Sequence, residues 1–176
     1  MRTQKRVLVV EDEDDTRTGL REFLERSGHL SVEASDGLAG LAQAETWHPH
    51  AIRLDVRMPG LDGYEVCRRL KANPATESIP VIVVTVVQDD ALNRLAYAAG
   101  VMACILTPFR LEALPTIIQT AIAGAARRAR PNARREGNPP RPSRAGRPFA
   151  HRDPRRWSAV RYTGQVTVYL DGTVGR

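Results

Sequence analysis

The stretch A-I-R-L-D-V-R-M-P-G-L-D-G, residues 51–63, joins a short apolar run to a turn, with the acid Asp55 at the junction. The run at 51–54 has the length and aliphatic character of a buried strand. Met58-Pro59-Gly60 then indicates a turn, because proline and glycine interrupt regular structure. Asp55 is therefore predicted to lie at the carboxyl end of a strand.

Four other apolar runs of strand length occur in the first 126 residues, at 6–10, 30–34, 81–84 and 103–106. Between the runs, apolar residues recur at intervals of three and four, which is typical of amphipathic helices. The helical groups lie at 20–24, 38–42, 66–70, 92–96 and 114–122. Five strands alternating with five helices predict a doubly wound α/β domain whose five-stranded parallel sheet is covered on both faces.

Ligands of such sheets bind beyond the carboxyl ends of the strands. The residues at those ends are Glu11 and Asp12, Asp55, Thr85, and Thr107 before Pro108. Three carboxylates from two strands should converge there, and an oxygen-only set of ligands suits Mg²⁺. An aspartate beside Mg²⁺ can accept a phosphoryl group, since the metal neutralises both partners.

The motifs V-L-V-V-E-D-E, L-D-V-R-M-P-G-L-D-G, I-P-V-I-V-V-T and T-P-F occur in this order along residues 5–123. In order and spacing they resemble the receiver domain of bacterial two-component response regulators. The resemblance implies a flavodoxin-like receiver fold and phosphorylation of Asp55 by the phosphohistidine of a histidine kinase or phosphotransfer protein. It further implies that Glu11, Asp12, Asp55 and the backbone carbonyl of Arg57 hold Mg²⁺. The hydroxyl of Thr85 would contact the phosphoryl oxygens.

The sequence departs from the receiver pattern at three positions. Thr107 stands where the family has a lysine that pairs with the phosphoryl group, and Cys104 stands where the family tends to have the aromatic switch residue. Arg53 replaces an aliphatic strand residue. Because a buried unpaired guanidinium is costly, we expect Arg53 to be paired or to reach water near the end of its strand.

These departures leave two hypotheses. One is a response-regulator receiver that signals to an unknown output protein through protein contacts and has no enzymatic activity beyond its own phosphoryl acceptance. The alternative is a phosphorylation-independent pseudo-receiver. A haloacid dehalogenase-type phosphatase would need an aspartate where Arg57 stands, and a flavodoxin would need a phosphate cradle in place of E-D-E-D-D at 11–15.

Charge divides the chain near residue 126. Residues 1–126 hold 13 basic and 17 acidic residues, whereas residues 127–176 hold 13 arginines and three acids. The segment 127–156 is rich in arginine and proline and is predicted to be disordered. Its charge is compatible with non-specific contact with nucleic acid, and the alternative is a solvated linker or tail without a partner. Residues 157–176 alternate like strands and predict a short hairpin.

The remaining composition indicates a cytoplasmic protein without a membrane partner. The longest apolar run, residues 79–87, contains a proline and is far shorter than a membrane span. The N-terminus has no apolar segment of the kind found in a signal peptide. Cys67 and Cys104 are isolated in sequence and are predicted to be buried thiols.

Overall fold

The computed structural model describes residues 4–85, 99–106, 110–129, 157–162 and 166–171, and for Thr85, Leu106 and the last two ranges it describes the backbone alone. The strands of the predicted domain are β1 (Arg6–Val10), β2 (Leu30–Ala34), β3 (Ala51–Asp55), β4 (Val81–Thr85) and β5 (Ala103–Leu106). The described helices are α1 (Asp14–Arg26), α2 (Gly37–Trp47), α3 (Gly63–Ala72) and α4 (Leu114–Ala129).

The five strands form a parallel sheet in the order β2-β1-β3-β4-β5. The reversal of strand order beside β1 is the topological switch point of a doubly wound fold. The predicted fold class is confirmed. The predicted helix at 92–96 lies outside the described residues.

Each face of the sheet carries its own layer of helices. Side chains along each strand alternate between the two faces of the sheet. Those on one face pack with α2 and α3, and those on the other face pack with α1 and α4. Residues 7 and 9 of β1 and residue 51 of β3 face α1 and α4, so residues 11, 53 and 55 continue that same face. This alternation places the acids and Arg53 on one side of the sheet.

Two strands follow the helical part of the chain. β6 (Trp157–Tyr162) and β7 (Val166–Asp171) pair antiparallel, and β7 also pairs antiparallel with β5. The sheet thus has seven strands in the order β2-β1-β3-β4-β5-β7-β6. Helix α4 continues to Ala129, three residues past the charge boundary predicted near residue 126.

Candidate functional site

Three carboxylates lie together at the carboxyl edge of the parallel sheet. The pairing of β1 with β3 sets Val10 beside Leu54, so the next residues, Glu11 and Asp55, are neighbours. One carboxylate oxygen from each of Glu11, Asp12 and Asp55 lies within 4.8 Å of the other two. The predicted convergence of the three acids, here called the acidic pocket, is confirmed.

The three acids differ in their access to solvent. Glu11 is only 6% exposed, Asp55 is partly buried and Asp12 is exposed. A reactant arriving from solvent can therefore reach Asp55 and Asp12, while Glu11 forms the floor of the pocket.

The environment of Asp55 opposes its negative charge. Burial raises the pKa of Asp55, and the charge of Arg53 offsets part of that rise. The backbone N–H of Arg57 donates a hydrogen bond to Asp55 Oδ2 at 2.9 Å. Burial likewise raises the pKa of Glu11, with Arg53 again acting in the opposite direction. An additional cation would therefore stabilise the negative charge of both acids.

The donor set fits a divalent cation. All three side chains offer carboxylate oxygens, the ligands that Mg²⁺ and Ca²⁺ prefer. Like charges this close together repel, and a cation between them relieves that repulsion.

Gly63 permits the close approach of α3 to the phosphoacceptor candidate. A Cβ at position 63 would lie 2.2 Å from the backbone oxygen of Asp55 and 2.9 Å from Cα of Val56. The N–H of Gly63 donates to the Val56 carbonyl at 3.0 Å, and the Asp62 side chain caps α3 by accepting from the N–H of Glu65. The sequence carried no signal for this contact.

Arg17 holds the loop between β1 and α1. Its guanidinium donates to the backbone oxygen of Glu11 at 2.9 Å and forms ion pairs with Asp14 and Glu33. These contacts of Arg17 involve a backbone oxygen and two outer acids rather than the three carboxylates of the acidic pocket.

Arg53 is buried and paired, one of the two outcomes expected for it. Its Nη1 donates to Glu11 Oε2 at 2.5 Å, and the side chains of Arg53 and Glu11 are 5% and 8% exposed. The sequence predicted that Arg53 would be paired or reach water, but not that its partner would be a member of the acidic pocket.

The other candidate residues are described only in part. The backbone places Thr85 at the end of β4, one residue past the partner of Asp55 in the sheet. The side chain of Thr85 and all of Thr107 lie outside the described residues.

Cys104, the residue predicted to stand at the switch position, is a buried thiol in β5. It is 1% exposed, and burial raises its pKa to about 11. Cys67 is also buried and donates its S–H to the backbone oxygen of Ala99. Both cysteines are free thiols, as predicted. Neither is activated as a nucleophile, because a reactive cysteine needs a lowered pKa.

The fold and the site define a doubly wound α/β domain with an acidic site at its switch point, and comparison with known proteins identifies its family. The model of the response regulator receiver domain matches residues 7–119. The chain belongs to this family. Receiver domains interact with histidine kinases or phosphotransfer proteins and bind Mg²⁺ in their acidic site.

Two relatives illustrate the match. The transcriptional regulatory protein AfsQ1 of Streptomyces coelicolor is 34% identical over 116 residues, which cover 66% of this chain and 50% of AfsQ1. Protein PilH of Pseudomonas aeruginosa is 31% identical over 119 residues, which cover 68% of this chain and 98% of PilH. This chain thus spans half the length of AfsQ1 and nearly all of PilH.

A solved structure shares the fold. The receiver domain of the sensor histidine kinase PA1611 of Pseudomonas aeruginosa, determined with a magnesium ion coordinated in the active site cleft, has a TM-score of 0.63 and 27% identity. The match covers 69% of this chain and 99% of that domain.

Within the part of this chain that the structure describes, no helix has the length and apolar character needed to cross a membrane.

Proposed function

We propose that this receiver domain accepts a phosphoryl group on Asp55 from the phosphohistidine of a histidine kinase or phosphotransfer protein. The observation that carries the proposal is the clustering of Glu11, Asp12 and Asp55 within 4.8 Å. Asp55 is the member that ends a strand and remains partly open to solvent.

The proposed reaction is a displacement at phosphorus. A carboxylate oxygen of Asp55 attacks the phosphorus atom as the bond from phosphorus to the donor imidazole nitrogen breaks. The electron pair of that bond stays with the departing nitrogen, and the imidazole leaves as a neutral ring because its other nitrogen already carries a proton in the reacting phosphohistidine. The N–H of Arg57 fixes Asp55 Oδ2 through the 2.9 Å hydrogen bond, which restricts rotation of the attacking carboxylate.

Glu11, Asp12, Asp55 and the backbone carbonyl of Arg57 would hold the metal. When bound, Mg²⁺ supplies positive charge that neutralises the carboxylates and the incoming phosphoryl oxygens. Thr85 would donate its hydroxyl to a phosphoryl oxygen. Thr107 would offer a second hydroxyl in place of the family's lysine.

Signalling would then proceed through protein contacts, with no catalysis beyond the acceptance of the phosphoryl group. A neutral hydroxyl at 107 forms a weaker bond to phosphate than an ammonium does, because charge-assisted hydrogen bonds are about twice as strong as neutral ones. We therefore expect slow phosphorylation and a small structural response in β5.

Mass spectrometry of the intact protein tests the proposal directly. Incubation with acetyl phosphate and Mg²⁺ should add the mass of one phosphoryl group to the wild type, and Asp55→Asn should abolish the addition. Asp62→Asn is the matched control, because it changes the other aspartate of the same stretch, which caps α3 and lies outside the acidic pocket. An unmodified wild type would instead favour the phosphorylation-independent receiver.

The basic segment 127–156 suggests nucleic acid as a second partner. Its 11 arginines and two acids would release counterions from a polyanion, so affinity should fall steeply with salt. Retention of the protein on immobilised duplex DNA at low salt tests this role. Replacement of the arginines of 134–156 by serine should abolish the retention. Equal elution of both proteins at low salt would exclude it.

A further inference from the structure

The guanidinium of Arg53 lies beneath the acidic pocket, in a place with little access to water. Arg53 is 4% exposed and pairs in the sheet with Val9 and Ile82, both fully buried. It shares a sheet face with Asp55, two residues further along β3. Apolar side chains from β1, β4, α1 and α4 form the core on this face.

The contacts of Arg53 are few and point to the pocket. Nη1 donates to Glu11 Oε2 at 2.5 Å and, more weakly, to the backbone oxygen of Val10 at 3.4 Å. Its buried Nε has no hydrogen-bond partner. The Glu11 carboxylate is thus the only charged group among the described residues that pairs with this cation.

We propose that Arg53 is a built-in cation of the acidic pocket and competes with the divalent cation for Glu11. The inference rests on the proposed function of the pocket and concerns how its metal affinity is set. A metal ion bound to Glu11 must share that carboxylate with the guanidinium, and two cations at one carboxylate repel each other. Arg53 therefore stabilises the metal-free pocket and weakens metal binding.

Binding of Mn²⁺, a stand-in for Mg²⁺ that prefers the same oxygen ligands, measures the competition. The free ion can be counted by electron paramagnetic resonance, without any phosphorylation. We expect Arg53→Met to bind Mn²⁺ at least about tenfold more tightly than the wild type, because the like charge is gone. Arg53→Lys, which keeps the charge, should stay close to the wild type.

Arg21→Leu is the matched control for loss of one positive charge. Arg21 pairs with Glu25 and Glu33 on α1 and β2 and does not contact the three carboxylates of the pocket. The affinity of Arg21→Leu for Mn²⁺ should remain within about twofold of that of the wild type, because exposed charges are screened. Equal affinities of Arg53→Met and Arg21→Leu would overturn the inference.

A measurement on the wild type guards against misfolding of Arg53→Met. Titration with Mg²⁺ should shift the Arg53 Nη1–H resonance, because the metal disturbs the hydrogen bond that Nη1 donates to Glu11. A resonance that does not move at saturating Mg²⁺ would also overturn the inference. Either of these two results would overturn the inference about Arg53 and leave the proposed phosphorylation of Asp55 standing. If the wild type gains no phosphoryl mass but Arg53→Met still binds Mn²⁺ more tightly than the wild type, only the proposed function is overturned.

Discussion

The site has two ends that differ in positive charge. One end lies at β1 and β3, and the other comprises position 104 in β5 and position 107 after it. At the first end the receiver's carboxylates are complete and a cation, Arg53, is added beneath them. At the second end the sequence has Thr107 instead of lysine and a buried thiol, Cys104, instead of an aromatic ring. Under the proposed function, the residues that would accept a phosphoryl group are therefore separate from those that would respond to it.

The β1–β3 end also contains a buried ion pair, that of Glu11 with Arg53. Breaking a buried ion pair by removing one partner leaves an uncompensated charge, whereas removing both partners together can cost little. The Glu11–Arg53 pair therefore connects the chemistry of the site to the stability of the domain. Variants of Glu11 and Arg53 should therefore distinguish the β1–β3 end of the site from the other end most clearly.

Removal of Glu11 should produce the largest effect. Glu11→Met leaves the guanidinium of Arg53 buried and unpaired, and we expect a loss of about 3–5 kcal/mol in the free energy of unfolding. Glu11→Met combined with Arg53→Met should regain most of that loss. Urea unfolding followed by circular dichroism measures both; a double variant no more stable than the single variant would contradict the pairing.

A methyl group at position 63 should have an intermediate effect. Gly63→Ala places a Cβ 2.2 Å from the Asp55 backbone oxygen, so the β3–α3 loop must shift, and overpacking of this kind costs about 1–3 kcal/mol. Phosphorylation of Asp55 should slow in the same variant. The control is Gly19→Ala in α1, where no atom lies within 4 Å and the helix should gain about 0.5–1 kcal/mol. Equal changes in both variants would argue against a specific role for Gly63.

The smallest effect concerns the charge of Asp55 itself. Its pKa is raised above the ordinary 3.8, mainly by burial, so its contribution to stability is full below 3.8 and is lost as pH rises through the folded-state pKa. In metal-free buffer Asp55→Asn should therefore be more stable than the wild type at neutral pH. The difference should shrink as the pH falls toward 3.8, and added Mg²⁺ should stabilise the wild type selectively. A pH-independent difference in unfolding free energy would refute this assignment.

Much of the architecture could be predicted from the pattern of apolar residues. Short aliphatic runs alternating with amphipathic segments predict a doubly wound sheet, and a parallel sheet brings the carboxyl ends of its strands to one edge. The acids after residues 10 and 54 therefore had to meet once β1 and β3 were neighbours. Residues 62–63 were likewise predictable as a helix start from local turn chemistry.

The sequence by itself determined the class of fold and the clustering of Glu11, Asp12 and Asp55, because these depend on local periodicity and strand ends. Its motifs also carried the resemblance to the receiver family. Only the tertiary structure decided that Arg53 pairs with Glu11, since that contact depends on the register of β1 against β3. It also decided that β7 adds to the edge of β5 and that Gly63 touches the Asp55 backbone. Such contacts join residues far apart in sequence, and no local spacing specifies which groups come within bonding distance after packing.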